Sequence, residues 1–167
     1  MSAGLMNGNY FSDVQCRFAA YLSSTQANVT GAGTGYVIPF DTEFFDIGSN
    51  FNTSTGTLTC PVDGYYYLHS VFLVTSVTSA MTALRPSFYI NSGSFSLNTN
   101  YINIAAIRNS NNQAGIGIST LYQFSAGDTV NVRIVVANGA GDTAGVFGGT
   151  SGDATQTRFE GTLLYKE

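Results

Sequence analysis

Between residues 65 and 74 nearly every position is apolar or aromatic, and alternate positions divide the run into two sets. Side chains alternate across a strand with a period of two, so Tyr66, Leu68, Ser70, Phe72 and Val74 share one face. Tyr65, Tyr67, His69, Val71 and Leu73 share the other. A strand on the outside of a two-layer sandwich has one polar face. Here the second face must also be covered, and tyrosine points to a neighbouring subunit, because its ring buries apolar area while its hydroxyl reaches a polar rim. Pro61-Val62-Asp63-Gly64 precedes the run and predicts a turn.

The same pattern predicts strands over 36–40, 88–91, 95–105, 116–124, 129–136 and 158–165, with Pro39 marking an edge or a strand end, while 18–22 is a short apolar segment. Turns fall at Asn91-Ser92-Gly93, 109–115 and Ala126-Gly127-Asp128. Residues 23–35 and 47–57 read as turn and loop, and 138–152 as a long loop in which Val146-Phe147 returns to the core as an apolar plug. No stretch has an apolar period of 3.6 between caps, so no helix is predicted, and no solenoid-length repeat is present. Short strands with this punctuation describe an all-β sandwich or jelly roll. Residues 1–17 read as a polar N-terminal arm and 18–167 as a single domain, a length that supports one core.

Composition adds an expectation about partners. Only 10% of residues are charged, the net charge is −4, and Lys166 is the single lysine. No basic stripe is available to neutralise phosphates, so no nucleic-acid partner is expected. No apolar run approaches the roughly 18 residues of a membrane span, so no membrane partner is expected either. Residues 1–8 lack the basic and apolar regions of a secretory signal, so synthesis in the cytoplasm is expected. A soluble domain with so little charge is expected to hide part of its surface in an oligomer.

Candidate chemistry is sparse. His69 is the only histidine, so a zinc site would need Cys16, Cys60, His69 and a carboxylate together. Its place between Tyr67 and Val71 instead predicts a core or interface residue. Cys16 and Cys60 can pair, but buried free thiols packing as small hydrophobes are the preferred reading. Asp41, Glu43 and Asp46 lack a neighbour that would separate their pKa values for acid–base work. The glycines of 31–35 and 139–141 precede no helix able to hold a phosphate and read as turn residues. Asp142 and Asp153 are too few for a calcium loop. No catalytic residue, metal or cofactor is predicted, and the chain reads as a non-enzyme.

The spacing Phe40-x5-Asp46-x4-Phe51-x6-Leu58-x5-Gly64-x-Tyr66-x-Leu68-x-Ser70 resembles the signature of the C1q domain family. The segments Phe18-Ala19-Ala20-Tyr21-Leu22, Val37-Ile38-Pro39-Phe40-Asp41-Thr42 and Phe159-Glu160-Gly161-Thr162-Leu163-Leu164 are similar to that family as well, as is Ala126-Gly127-Asp128-Thr129-Val130. Leu58 and Leu68 stand where the family has phenylalanine, and Ser70 where it has an aromatic. The resemblance covers residues 17–167 and implies a C1q-like jelly-roll sandwich of about ten antiparallel strands that forms a homotrimer. Trimer contacts are then expected at Tyr65, Tyr67, His69, Val71 and Leu73. No collagen-like stalk and no family calcium motif are recognised.

A stalkless knob of this kind looks like the decoration (cement) proteins at three-fold positions of tailed-phage capsids. That likeness implies a structural role on the outer surface of a virion, stabilising the shell, with the major capsid protein as partner. Leu5, Met6, Tyr10, Phe11 and Val14 of the arm are the expected capsid contacts. The alternative is a receptor- or glycan-binding trimeric knob, as at a fibre tip or in a secreted lectin-like module, with Phe95 and Tyr101 as candidate contacts.

Overall fold

The computed structural model describes residues 16–97, 101–150 and 157–167. The expected arm contacts Leu5, Met6, Tyr10, Phe11 and Val14 lie outside the described residues, as does Asp153. The first strands are β1 (Arg17–Tyr21), β2 (Gln26–Thr30), β3 (Gly35–Val37), β4 (Thr42–Ile47), β5 (Phe51–Asn52) and β6 (Thr57–Thr59). They are followed by β7 (Gly64–Thr75), β8 (Ala83–Ile90), β9 (Phe95–Leu97) and a one-turn helix α1 (Ile104–Ile107). The chain closes with β10 (Ala114–Phe124), β11 (Thr129–Ala137), β12 (Ala144–Val146) and β13 (Arg158–Lys166).

These strands form two antiparallel sheets. In the first, β7 pairs with β10 along one edge, and β13, β1 and β4 follow on the other. Beyond β13, the end of β7 is taken over by β12, which carries β2. In the second sheet β11 lies between β8 and the pair β6 and β3, with β9 outside β8 and β5 outside β6.

The core fills the space between the sheets. Tyr66, Leu68, Phe72 and Val74 of β7 turn inward, as do Phe18 and Ala20 of β1 and Ile116, Ile118 and Phe124 of β10. They meet Leu84, Phe88 and Ile90 of β8 and Val130, Val132, Ile134 and Val136 of β11. Phe159 of β13 is the aromatic centre: its ring meets Phe18 edge-on at 4.8 Å and Phe51 at 5.9 Å, the geometry ring quadrupoles prefer.

Several elements depart from the sequence pattern. Of the expected strand over 95–105, Phe95–Leu97 form β9 and Ile102 bridges to Leu84, but its end is replaced by α1 from Ile104. Asn103 caps that turn by accepting from Ala106 N at 3.3 Å, and one turn is too short to display a helical period. Strand β8 begins at Ala83, ahead of the expected residue 88, because Pro86 disguises it. Leu84 N–H points outward to Ile102 O, so the ring nitrogen of Pro86 lies on the same outer edge. Among the described residues Pro86 is paired only with Ile134 of β11, on the side that does not call on its missing N–H. In β4 the register on β1 slips between Ala19 and Ala20, leaving Phe44 unpaired and its alternation scrambled. Strands β2, β5 and β12 are short pieces within stretches that read as turn or loop.

The sandwich has two distinct ends. Leu163 N donates to Cys16 O at 2.9 Å and Glu167 N to Asp63 O at 3.1 Å, so residues 1–15 join the domain at the end where β13 finishes. At the opposite end loops gather: Val77 N donates to Asn112 O, Gly139 N to Gly31 O, and Asn138 Nδ2 to Thr82 Oγ1.

Candidate functional site

The alternation of β7 decides which residues stand outside. Tyr65, Tyr67, His69, Val71 and Leu73 all lie on the face of the first sheet turned away from the core, each half-buried or exposed. The neighbouring strands extend this face. Directly across on β10 are Gln123, Leu121, Ser119, Gly117 and Gly115. On β13, Tyr165, Thr162, Glu160 and Arg158 stand across from Tyr65, Tyr67, His69 and Val71. Further out, Phe45 and Ile47 of β4 pair with Ala19 and Arg17 of β1.

The result is a broad surface with apolar side chains from four strands. Tyr65 and Tyr165 bring their rings to 6.4 Å, and Phe44 packs on Tyr21 at 4.7 Å. Leu121, Tyr165, Phe44, Phe45 and Ile47 were not among the expected contacts. Leu121 was readable, since Ile116, Ile118 and Phe124 define the inner face of β10 and place it outside. The β4 residues were hidden by the bulge.

Two depressions mark this face. One of about 260 Å³ is lined by Phe45, Tyr67, His69, Glu160 and Thr162, together with Phe18 and Gly161. Here the Nδ1 of His69 is buried without a hydrogen-bond partner, and Glu160 lies 3.7 Å from Arg158 Nε. The second, also about 260 Å³, runs over Gly115 and Gly117 beside Val71 and Leu73. A Cβ on Gly115 would meet nothing within 4 Å, so the glycines leave an open slot. Surfaces of this kind, apolar at the centre with polar groups interspersed, suit contact with another protein surface.

The remaining candidates have structural places. Cys16 and Cys60 are buried and unpaired. Burial first, and then the negative charge of Asp46, push the Cys16 thiol up to about 12, and burial raises Cys60 as well. Neither is an activated nucleophile. His69 projects from the outer face and the thiols lie in the core, so the three do not converge, and among the described residues no group of three or more His, Cys, Asp and Glu stands together.

Asp41 accepts from Ser23 N and Ser23 Oγ at 2.8 Å each, and Asp46 Oδ2 accepts from Phe51 N at 2.9 Å. The first ties the turn after β1 to the segment that leads into β4, and the second ties β4 to the start of β5. A Cβ on Gly31 would come within 2.2 Å of Asp142 O, so that glycine serves a close backbone approach. Phe95 packs on Tyr122 at 5.7 Å, and the guanidinium of Arg85 sits 5.4 Å over the exposed ring of Tyr101.

The signature positions have a different character from the outer face. Phe40, Phe51, Leu58, Tyr66, Leu68 and Ser70 are all buried, and Ser70 Oγ donates to Arg158 O at 2.9 Å. They specify the sandwich.

Comparison with known proteins agrees with this geometry. The globular domain of zebrafish complement 1qA protein aligns with a TM-score of 0.54 at 17% identity, covering 91% of this chain and 99% of that one. Murine APRIL, in its pH 8.0 crystal structure, aligns with a TM-score of 0.59 at 12% identity, covering 90% and 99%. At these identities the likeness is one of fold. No curated protein matches the sequence. The C1q domain family model matches residues 19–163, and the chain belongs to the C1q domain family.

Proposed function

We propose that this chain is a homotrimeric, non-enzymatic structural module that decorates the outside of a phage capsid and stabilises the shell. The observation that carries the reading is the outer face of the first sheet, where Tyr65, Tyr67, Val71, Leu73 and Leu121 stand in solvent or half in it. A protomer that hides this face against two copies of itself satisfies the doubly apolar β7. Three-fold symmetry then matches a local three-fold position on an icosahedral shell. Residues 1–15 join at Cys16, at one end of the sandwich, so in a trimer with parallel axes three arms leave from one side. That side is the one that faces the major capsid protein, with Leu5, Met6, Tyr10, Phe11 and Val14 as the contacts.

The test combines native mass measurement with reconstitution. Purified full-length chain is added to capsid shells lacking it, and stoichiometry and shell stability are measured. Binding in multiples of three with a raised shell disruption temperature is the expected result. A monomer in solution overturns the trimer. A trimer that leaves the shells bare overturns the decoration role, and equal binding by chain lacking residues 1–15 overturns the arm contact.

A further inference from the structure

At the end of the sandwich opposite Cys16, two polar depressions of about 540 and 440 Å³ adjoin and share Arg108 and Asn112. One is completed by Ala105, Asn109 and Ser110, the other by Ser76, Thr78 and Ser79 together with Val77. Among the described residues the lining therefore holds one guanidinium, amides and hydroxyls, and no carboxylate.

The basin is built by fixed hydrogen bonds. Arg108 Nη1 donates to Val77 O at 3.2 Å and to Asn112 Oδ1. Both bonds use one nitrogen, leaving Nε and Nη2 of the planar fork outside them. Asn109 Oδ1 accepts from Asn111 N and from Gln113 N, each at 2.9 Å, and Val77 N donates to Asn112 O at 2.9 Å. The two loops are thus locked to each other, with little ordering left to do on binding. Beside them the hydroxyl oxygen of Thr78 is buried without a hydrogen-bond partner, a costly arrangement that a ligand or water relieves.

We propose that this basin binds an acidic saccharide, with Arg108 receiving its oxyanion and the surrounding amides and hydroxyls its ring hydroxyls. A planar guanidinium pairs a carboxylate or sulfate through two parallel bonds. A lone inorganic anion would leave most of the basin and its polar groups unused, whereas a sugar ring offers donors and acceptors that match them. The site lies away from the end where residues 1–15 join, on the side a knob anchored by that end presents to solution. It does not depend on the shell role: a chain that leaves capsids bare can still bind the saccharide, and the reverse.

The test is titration of the full-length chain by calorimetry or amide chemical shifts. Three saccharides carrying a sialic acid, a uronate or a sulfate ester are compared with a neutral disaccharide and with sodium sulfate. At least one acidic saccharide is expected to bind more tightly than both controls, with shifts at Arg108, Asn109 and Asn112. Arg108→Gln should weaken it about tenfold or more. Because Arg108 also braces Val77, Ser110→Asp is the second variant: it keeps Arg108 and places a carboxylate in the basin, and the same loss is expected with an unchanged melting temperature. Arg85→Gln, over Tyr101, should bind normally. The proposal is overturned if none of the acidic saccharides binds up to about 10 mM. Equal binding of the neutral sugar or of sulfate overturns it too, as does binding that survives both basin variants.

Discussion

Leu121 of β10 stands directly across from Tyr67 of β7 on the outer face of the sheet, and the two remain 60% and 42% exposed. Neither contributes to the protomer core, so a charge at either position should change protomer stability by no more than about 0.5 kcal/mol. In the proposed trimer both would be central, and an unpaired carboxylate there would lose its hydration without a partner. Tyr67→Glu and Leu121→Glu are each expected to give folded monomers by native mass spectrometry, with an unchanged far-ultraviolet spectrum. Persistence of the trimer in both variants at the same concentration would place the interface elsewhere.

Gly161 separates fold from assembly. It faces inward on β13, and a Cβ there would lie 2.6 Å from Leu68 Cδ2 and 2.7 Å from Phe18 Cε1. Gly161→Ala overpacks the core and should cost about 1–3 kcal/mol in urea unfolding while leaving the oligomeric state alone. Gly117, on the outer face, is the contrast: a Cβ there meets only Val71 Cγ1 at 3.6 Å. Gly117→Ala should leave the unfolding midpoint of the protomer nearly unchanged.

The residues legible in the sequence were those with one dominant physical job. Phe40, Phe51, Leu58, Tyr66 and Leu68 are core residues at fixed spacing, and the period of β7 divided its two faces as the structure divides them. What stayed hidden was set by irregularity or by tertiary juxtaposition. The bulge beside Phe44 destroyed the alternation of β4, and Pro86 masked β8 although its ring nitrogen points away from β11. The Arg108 basin joins the loop after β7 to the loop before β10. Neither loop has a hydrophobic period; the β7–β10 ladder ending at Ala114 and Val74, and the bond from Val77 N to Asn112 O beyond it, bring them together.

Tyr66 combines a buried ring with a placed hydroxyl, which donates to Val62 O at 2.8 Å in the turn ahead of β7. Tyr66→Phe keeps the edge-on contact with Phe124 at 5.8 Å and removes that bond together with the longer one the hydroxyl accepts from Val62 N at 3.4 Å, leaving the carbonyl short of a donor. A loss of about 0.5–1.5 kcal/mol is expected from equilibrium unfolding. A loss of zero would mean that the turn relaxes and Val62 finds another partner.

The buried thiols make stability depend on alkaline pH with a definite sign. In the unfolded chain both ionise near the ordinary value of 9.0, whereas burial, reinforced by Asp46, holds Cys16 up to about 12, and Cys60 is raised too. Above pH 9.0 the unfolded state therefore sheds protons that the folded state keeps. Their contribution is fully present below 9.0 and is lost as pH rises through the folded values. Each thiol should cost up to about 1.4 kcal/mol per pH unit in that window. Tyr66, also raised by burial from 10.0, adds the same sign higher up, so the first unit above 9.0 isolates the cysteines. Urea midpoints should fall across that unit in the wild-type chain. In the Cys16→Ala/Cys60→Ala double variant, less stable at neutral pH because of the cavities it leaves, the fall should be much shallower. At about pH 8 a thiol reagent should label neither cysteine until the chain unfolds; prompt labelling of native protein, or parallel pH profiles for the two chains, would refute the assignment of this dependence to buried thiols.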